Sequence, residues 1–323
     1  MHRRTLLAGL LAAPVLAGRQ AAAQSFPDRP IRLIVPGAPG SPTDVMARVM
    51  ADALYPLLRH PLVVDLRAAA GGIVAGAAVA AAPADGHTLL YANTSVMAVN
   101  PAIHVNMTYD PATAFAPIAL VSNAPMIVVV NSAHPARTFP ELLAWTQANP
   151  GKLNYATSGG GSLPHLVFEM IRMETGLSAT RVPYNGGGPA LASVVAKETD
   201  ATNEVISIVR AHVQAGTLRA LAVVGRARDP LLPDVPSMAE LGFPNAVISS
   251  WTGLAAPART PPEIIGLLNA RVNEALRSEP VRARFANLGV TIMGGTPEHF
   301  ATWAAEERVR MTRIARAADI KPD

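Results

Sequence analysis

The sequence predicts an α/β fold of two lobes, each with a mostly parallel sheet, joined by two crossings of the chain. Three observations predict it. Strand-like and helix-like patterns alternate along the chain, the order that puts helices on both faces of a parallel sheet. The alternation falls into two series with no long linker between them, so the chain must cross between lobes twice, near 121–125 and near 246–250. The 323 residues are half hydrophobic and only 15% charged, with 24 Gly and 29 Pro, which suits two cores and many short connections.

Taken in order, Ile31-Arg32-Leu33-Ile34-Val35 is a buried strand stopped by Pro36. Val45, Met46, Val49, Met50, Ala53, Leu54, Leu57 and Leu58 recur at helical spacing and define one apolar face. Leu62-Val63-Val64 reads as a strand, Ile73 to Ala82 as an Ala-rich helix, and Thr88-Leu89-Leu90-Tyr91 as a strand after the Asp85-Gly86 turn. The second series opens with a strand at Met126 to Val130 and a helix from Glu141 to Asn149. A strand follows at Leu153 to Ala156, then helices at Pro164 to Glu174 and Pro189 to Lys197. Leu218 to Val224 and Trp251 to Ala256 are strands, and Pro262 to Ser278 and Pro297 to about Ala317 are helices. Residues 24–123 and 248–323 are thus expected to form one lobe, and 124–247 the other.

The N-terminus supplies the compartment. His2, Arg3 and Arg4 precede the apolar run Leu6 to Ala17 and then Ala21-Ala22-Ala23, the parts of a cleaved signal peptide over residues 1–23. The run is too short to span a bilayer, which takes roughly 20 apolar residues. Cleavage removes three of the 27 basic residues and none of the 23 acidic ones, leaving 24 against 23, a net charge of +1. A nearly neutral chain carries no electrostatic footprint for nucleic acid. The absence of cysteine removes disulfides and thiolate chemistry.

Three strand-to-helix connections share one design: Gly37-Ala38-Pro39-Gly40-Ser41-Pro42-Thr43-Asp44, Ser158-Gly159-Gly160-Gly161-Ser162-Leu163-Pro164-His165 and Asn185-Gly186-Gly187-Gly188-Pro189. Glycine lets a ligand approach the backbone, and proline is tolerated in the first helical turn. What remains is a set of unpaired N–H groups at a helix N-terminus, an anion site that needs no arginine. Each loop alone also reads as ordinary punctuation, and Ser41 with Asp44 as a helix cap. None matches a nucleotide-binding motif, and the eight histidines show no metal-ligand spacing, so no cofactor or metal is expected. Ala156-Thr157-Ser158-Gly159-Gly160 loosely resembles a nucleophile elbow, with Glu204 and His212 or Glu298 and His299 as nominal partners. A secreted serine hydrolase is the enzymatic alternative.

Across these loops the chain resembles the Bug family, the extracytoplasmic solute receptors of tripartite tricarboxylate transporters. The landmarks are Pro30 to Pro36 followed by Ala38-Pro39-Gly40 and Thr43-Asp44, Ala84 to Leu90, Asn100-Pro101-Ala102, and Pro150 to Ala156. Pro164-His165-Leu166, Val182-Pro183-Tyr184, Ala215 to Ala222 and Leu232 to Pro236 continue them. The resemblance implies a periplasmic binding protein of type II-like fold, not an enzyme, expected as a monomer. It would take a small carboxylate through backbone groups and ordered water and deliver it to integral-membrane transporter subunits; delivery to a signalling partner is the alternative. By position the first lobe offers Gly37, Ala38, Pro39, Gly40, Ser41, Thr43, Asp44, Asn93 and Ser95. The second offers Thr157, Ser158, Ser162, His165, Tyr184 and Glu204. Gly37 stands where an aromatic is common, Ser41-Pro42 replaces a Gly-Ser type pair, and Glu204 lies where many members carry Asp, flanked by the unusual Asn203 and Val205. These departures leave the fold untouched and the ligand's identity open, one with an amine or amide beside its carboxylate being an option for Glu204.

Overall fold

The computed structural model describes residues 26–104 and 106–321; the signal peptide assigned to 1–23 lies outside the described residues. In chain order, β1 (Ile31–Val35), α1 (Pro42–Leu58), β2 (Leu62–Leu66), α2 (Ile73–Ala80) and β3 (Thr88–Asn93) build the first half. Strand β1 pairs in parallel with β2 on one side and β3 on the other, with Ile31 opposite Leu62 and Arg32 opposite Thr88. Only Arg32 of β1 is exposed, as expected of a strand covered on both faces. A π-type turn (Ser95–Val99) and the short helices α3 (Asn100–Ile103) and α4 (Pro111–Ala114) lead into β4 (Phe115–Asn131).

Strand β4 joins the two halves. Then come α5 (Phe139–Ala148), β5 (Asn154–Thr157), α6 (Leu163–Thr175), β6 (Thr180–Pro183), α7 (Gly187–Val195), β7 (Ala201–Val205), α8 (Ile206–Gln214) and β8 (Leu218–Val224). The chain returns through β9 (Ser249–Pro257) and ends with α9 (Pro262–Arg277), α10 (Glu279–Asn287), β10 (Thr291–Gly294) and α11 (Pro297–Ala317). The strand order is β2-β1-β3-β9-β4-β7-β5-β6, with β8 and β10 also paired to β4. From Phe115 to Pro125, β4 runs antiparallel to β9; from Met126 onward it pairs instead with β7 and β8. The partners change at Pro125, which has no N–H to give a ladder. Strand β5 is parallel to β6 and β7, so the βαβ segments of both halves are parallel, and the strands that join the halves are antiparallel.

Three apolar clusters follow from this layout. One packs α1, α9 and α10 against the first sheet, through residues such as Leu33, Met50, Leu268 and Phe285. A second packs α7 and α8 on the other sheet, through Ile127, Val194 and Val209. The largest runs between the halves, including Tyr155, Phe168, Trp251 and Phe300. Two differences from the sequence reading matter for the site. Strand β4 begins at Phe115 rather than Met126, because Ser122, Asn123 and Pro125 interrupt the apolar run yet sit within the sheet. Strand β7 and helix α8 went unread because Thr202, Asn203 and Glu204 are polar, although all three are buried.

Candidate functional site

The first loop is held by its own side chains. Ser41, extended at φ −66° and ψ 158°, caps α1, its Oγ accepting from the Asp44 N–H at 3.3 Å. The Asp44 carboxylate accepts from the Gly40 N–H at 2.8 Å and from Arg48 Nε at 2.7 Å. Gly40 takes φ +75°, which favours glycine. Pro42 fills the first helical position. With these contacts made, among the described residues no protein acceptor lies against the N–H of Ala38 or Thr43.

The second loop repeats the scheme in the other half. Ser162 caps α6: its Oγ accepts from the His165 N–H at 3.3 Å and donates to the Gly159 carbonyl at 2.9 Å. His165 Nδ1 accepts from the Gly161 N–H at 3.1 Å. The N–H groups of Ser158 and Leu163 have no protein acceptor among the described residues. At the third loop Gly186 precedes α7 at φ +110°, its N–H bonded to the Tyr184 carbonyl, and the N–H groups of Gly187 and Gly188 are likewise without a protein acceptor.

These three helix starts converge on one cleft of about 690 Å3. Ten of the sequence-predicted residues line it: Ala38, Pro39, Gly40, Ser41 and Thr43 from the first loop, Asn93 and Ser95 after β3, Ser158 and Ser162, and Glu204. Five do not. Asp44 is buried and committed to the Gly40 N–H and Arg48, and His165 is buried and committed to its own loop, with Nε2 at 3.8 Å from Glu169. Thr157 is wholly buried at the end of β5. Tyr184 packs on the α7–α8 cluster. Gly37 turns the backbone under Ser41, where a Cβ would meet the hydroxyl. These five shape the loops rather than face the cleft. Other residues also line it: Met46 from α1, Ala124, Met126 and Ser250 from the crossing strands, Ser207 and Ile208 from α8, and Asn185 to Pro189 of the third loop, which the sequence marks by its glycines without pointing to a contact. The crossings near 121–125 and 246–250 carried the signal for Ala124 and Ser250.

Glu204 is the one ionisable side chain lining the cleft. It is 6% exposed, and burial pushes its pKa up to about 7, against the opposing pull of the Val205 N–H. Beside it, Asn203 Nδ2 donates to the Pro164 carbonyl at 3.0 Å and to the Tyr155 hydroxyl at 3.1 Å, tying β7 to the start of α6. Among the described residues the cleft thus offers backbone donors and hydroxyls from both halves and one acid, with no Lys, Arg or His on its wall.

Known proteins match the chain in sequence and in fold. The model of the tripartite tricarboxylate transporter family receptor matches residues 46–320. BugT of Bordetella pertussis is 36% identical over 99% of both chains. The R. palustris protein Rpa4515, solved with adipate, is 32% identical with a TM-score of 0.85, covering 92% of this chain and all of that one. MatC from Rhodopseudomonas palustris, solved with bound malate, is 31% identical with a TM-score of 0.80, covering 90% of this chain and 99% of that one. In sequence and in fold, along nearly its whole length, the chain belongs to the receptor family of tripartite tricarboxylate transporters.

Proposed function

We propose that this chain is a periplasmic solute receptor that captures a small carboxylate between two lobes, 24–123 with 248–323 and 124–247, and presents it to integral-membrane transporter subunits. The observation that carries the reading is the convergence of unsatisfied N–H groups of Ala38, Thr43, Ser158 and Leu163 on one cleft without a basic side chain. Helix N-termini carry partial positive charge and favour an anion at that place. Adipate and malate held by the two related structures support a carboxylate as the ligand class. The ten lining residues are the proposed contacts, while Asp44 and His165 hold the loops in shape. Binding on both halves draws the lobes together to the extent that the ligand favours the closed form.

The hydrolase alternative loses its machinery in three dimensions. Ser158 lines the cleft, but neither His212, half-buried near the end of α8, nor His299, in the first turn of α11, does. Titration calorimetry against dicarboxylates, tricarboxylates, acidic amino acids and aromatic acids tests the proposal. At least one binds with a Kd of about micromolar or tighter, and heat from none of them contradicts the receptor reading. Ester hydrolysis abolished by Ser158→Ala would restore the enzyme.

A further inference from the structure

The cleft is not symmetrical in what it offers a ligand. At the starts of α1 and α6 the backbone presents unpaired donors. The start of α7 also has unpaired donors, at Gly187 and Gly188, but there an acid stands beside them: Gly187 lies so close to Glu204 that a Cβ there would collide with the carboxylate. Glu204 is more than nine-tenths buried, lines the cleft, and has the Val205 N–H as its hydrogen-bond donor. Among the described residues no cation lines the cleft beside it, and Arg210 of α8 acts on Asp229 instead. Strand β4 puts Ile127 opposite it, β5 brings the Tyr155 phenol, α7 brings glycine, and α8 contributes Ser207 and Ile208. A dicarboxylate lying across this cleft would bring a second negative charge against a desolvated acid, and like charges in such a place repel.

Resting on the receptor reading above, we propose that Glu204 determines specificity, selecting a carboxylate that also carries a protonated amine, with the ammonium donating to Glu204. The carboxylate of that ligand sits on the donors of the α1 and α6 loops. Its carbon body lies against Met46, Met126, Val205 and Ile208, which give the cleft its apolar wall. The ligand then supplies the positive charge that the protein withholds, so the buried acid is paired only when the cleft is filled.

Matched ligand pairs test this at about pH 8. Calorimetry compares succinate with β-alanine, glutarate with γ-aminobutyrate and adipate with ε-aminocaproate, and adds leucine and phenylalanine as amines adjacent to the carboxylate. In the wild-type chain an amine-bearing member binds at least about tenfold tighter than any dicarboxylate. Glu204→Gln, which keeps the shape and removes the charge, lowers that affinity by about tenfold or more and raises the dicarboxylate affinity. A wild-type preference for dicarboxylates, or a preference that Glu204→Gln leaves unchanged, overturns the inference while the receptor reading stands. If no carboxylate of either kind binds, both fall together.

Discussion

At the scale of single residues, polar side chains of the loops bond within the protein and leave main-chain donors unpaired at the cleft. Asp44 shows this most directly. Its carboxylate fixes the Gly40 N–H and Arg48 at once, so the backbone between them cannot relax away from the cleft. Asp44→Ala is predicted to cost about 1–3 kcal/mol in urea unfolding, the usual range for a buried donor left unpaired, and to weaken ligand binding by about tenfold. Unchanged affinity would assign the loop's shape to another contact. Glu204 behaves in the opposite way, because its pKa is raised to about 7 from 4.5. The folded chain then holds a proton that the unfolded chain has released, so its stability falls as pH rises between those two values. Glu204→Gln removes that dependence. Its gain over the wild type is near zero at about pH 4 and rises to at most about 3 kcal/mol at about pH 8, read from melting curves of the ligand-free protein.

At the scale of elements, β7 and β4 carry the site, and they are also where the sequence was hardest to read. Strands such as β1 and β8, and helices such as α9 and α11, announce themselves by apolar runs or helical periodicity, and their bounds follow the sequence closely. Strand β7 has the composition of a loop, yet two of its three polar residues bond inside the fold, Thr202 donating to the Ala156 carbonyl and Asn203 bridging Pro164 and Tyr155, while Glu204 faces the cleft. Which partners await a buried amide is a tertiary fact, absent from local pattern. The same holds for Asp44 and His165, whose positions in the loops were legible but whose side chains turn inward. The glycine and proline spacing that marked the three loops was legible because backbone conformation, unlike side-chain direction, is written locally. Asn203→Ala is predicted to destabilise the chain by about 1–3 kcal/mol and to weaken ligand binding, since it frees the start of α6 from β7. Loss of stability with full affinity would separate β7 from the site.

At the scale of the whole molecule, β4 spans from one sheet to the other, antiparallel to β9 up to Pro125 and to β7 and β8 beyond it. The cleft lies beside this junction, lined on one side by the α1 loop and on the other by α6, α7 and β7. On the proposed receptor reading, bending at this crossing would leave both sheets intact, and a ligand touching both sides would favour the bent form. Small-angle scattering is therefore predicted to show a smaller radius of gyration with ligand than without. A ligand at about a hundredfold above its Kd should add about 2.7 kcal/mol to unfolding stability by mass action. An unchanged radius with that full stabilisation would indicate a cleft closed before binding.

Whether main-chain donors from both halves grip the carboxylate is read from a crystal structure of the ligand-bound protein. It should show carboxylate oxygens within about 3 Å of the Ala38, Thr43, Ser158 or Leu163 N–H groups, directly or through one ordered water, with no Lys or Arg in contact. A ligand held by a basic side chain, or seated away from the starts of α1 and α6, would contradict it.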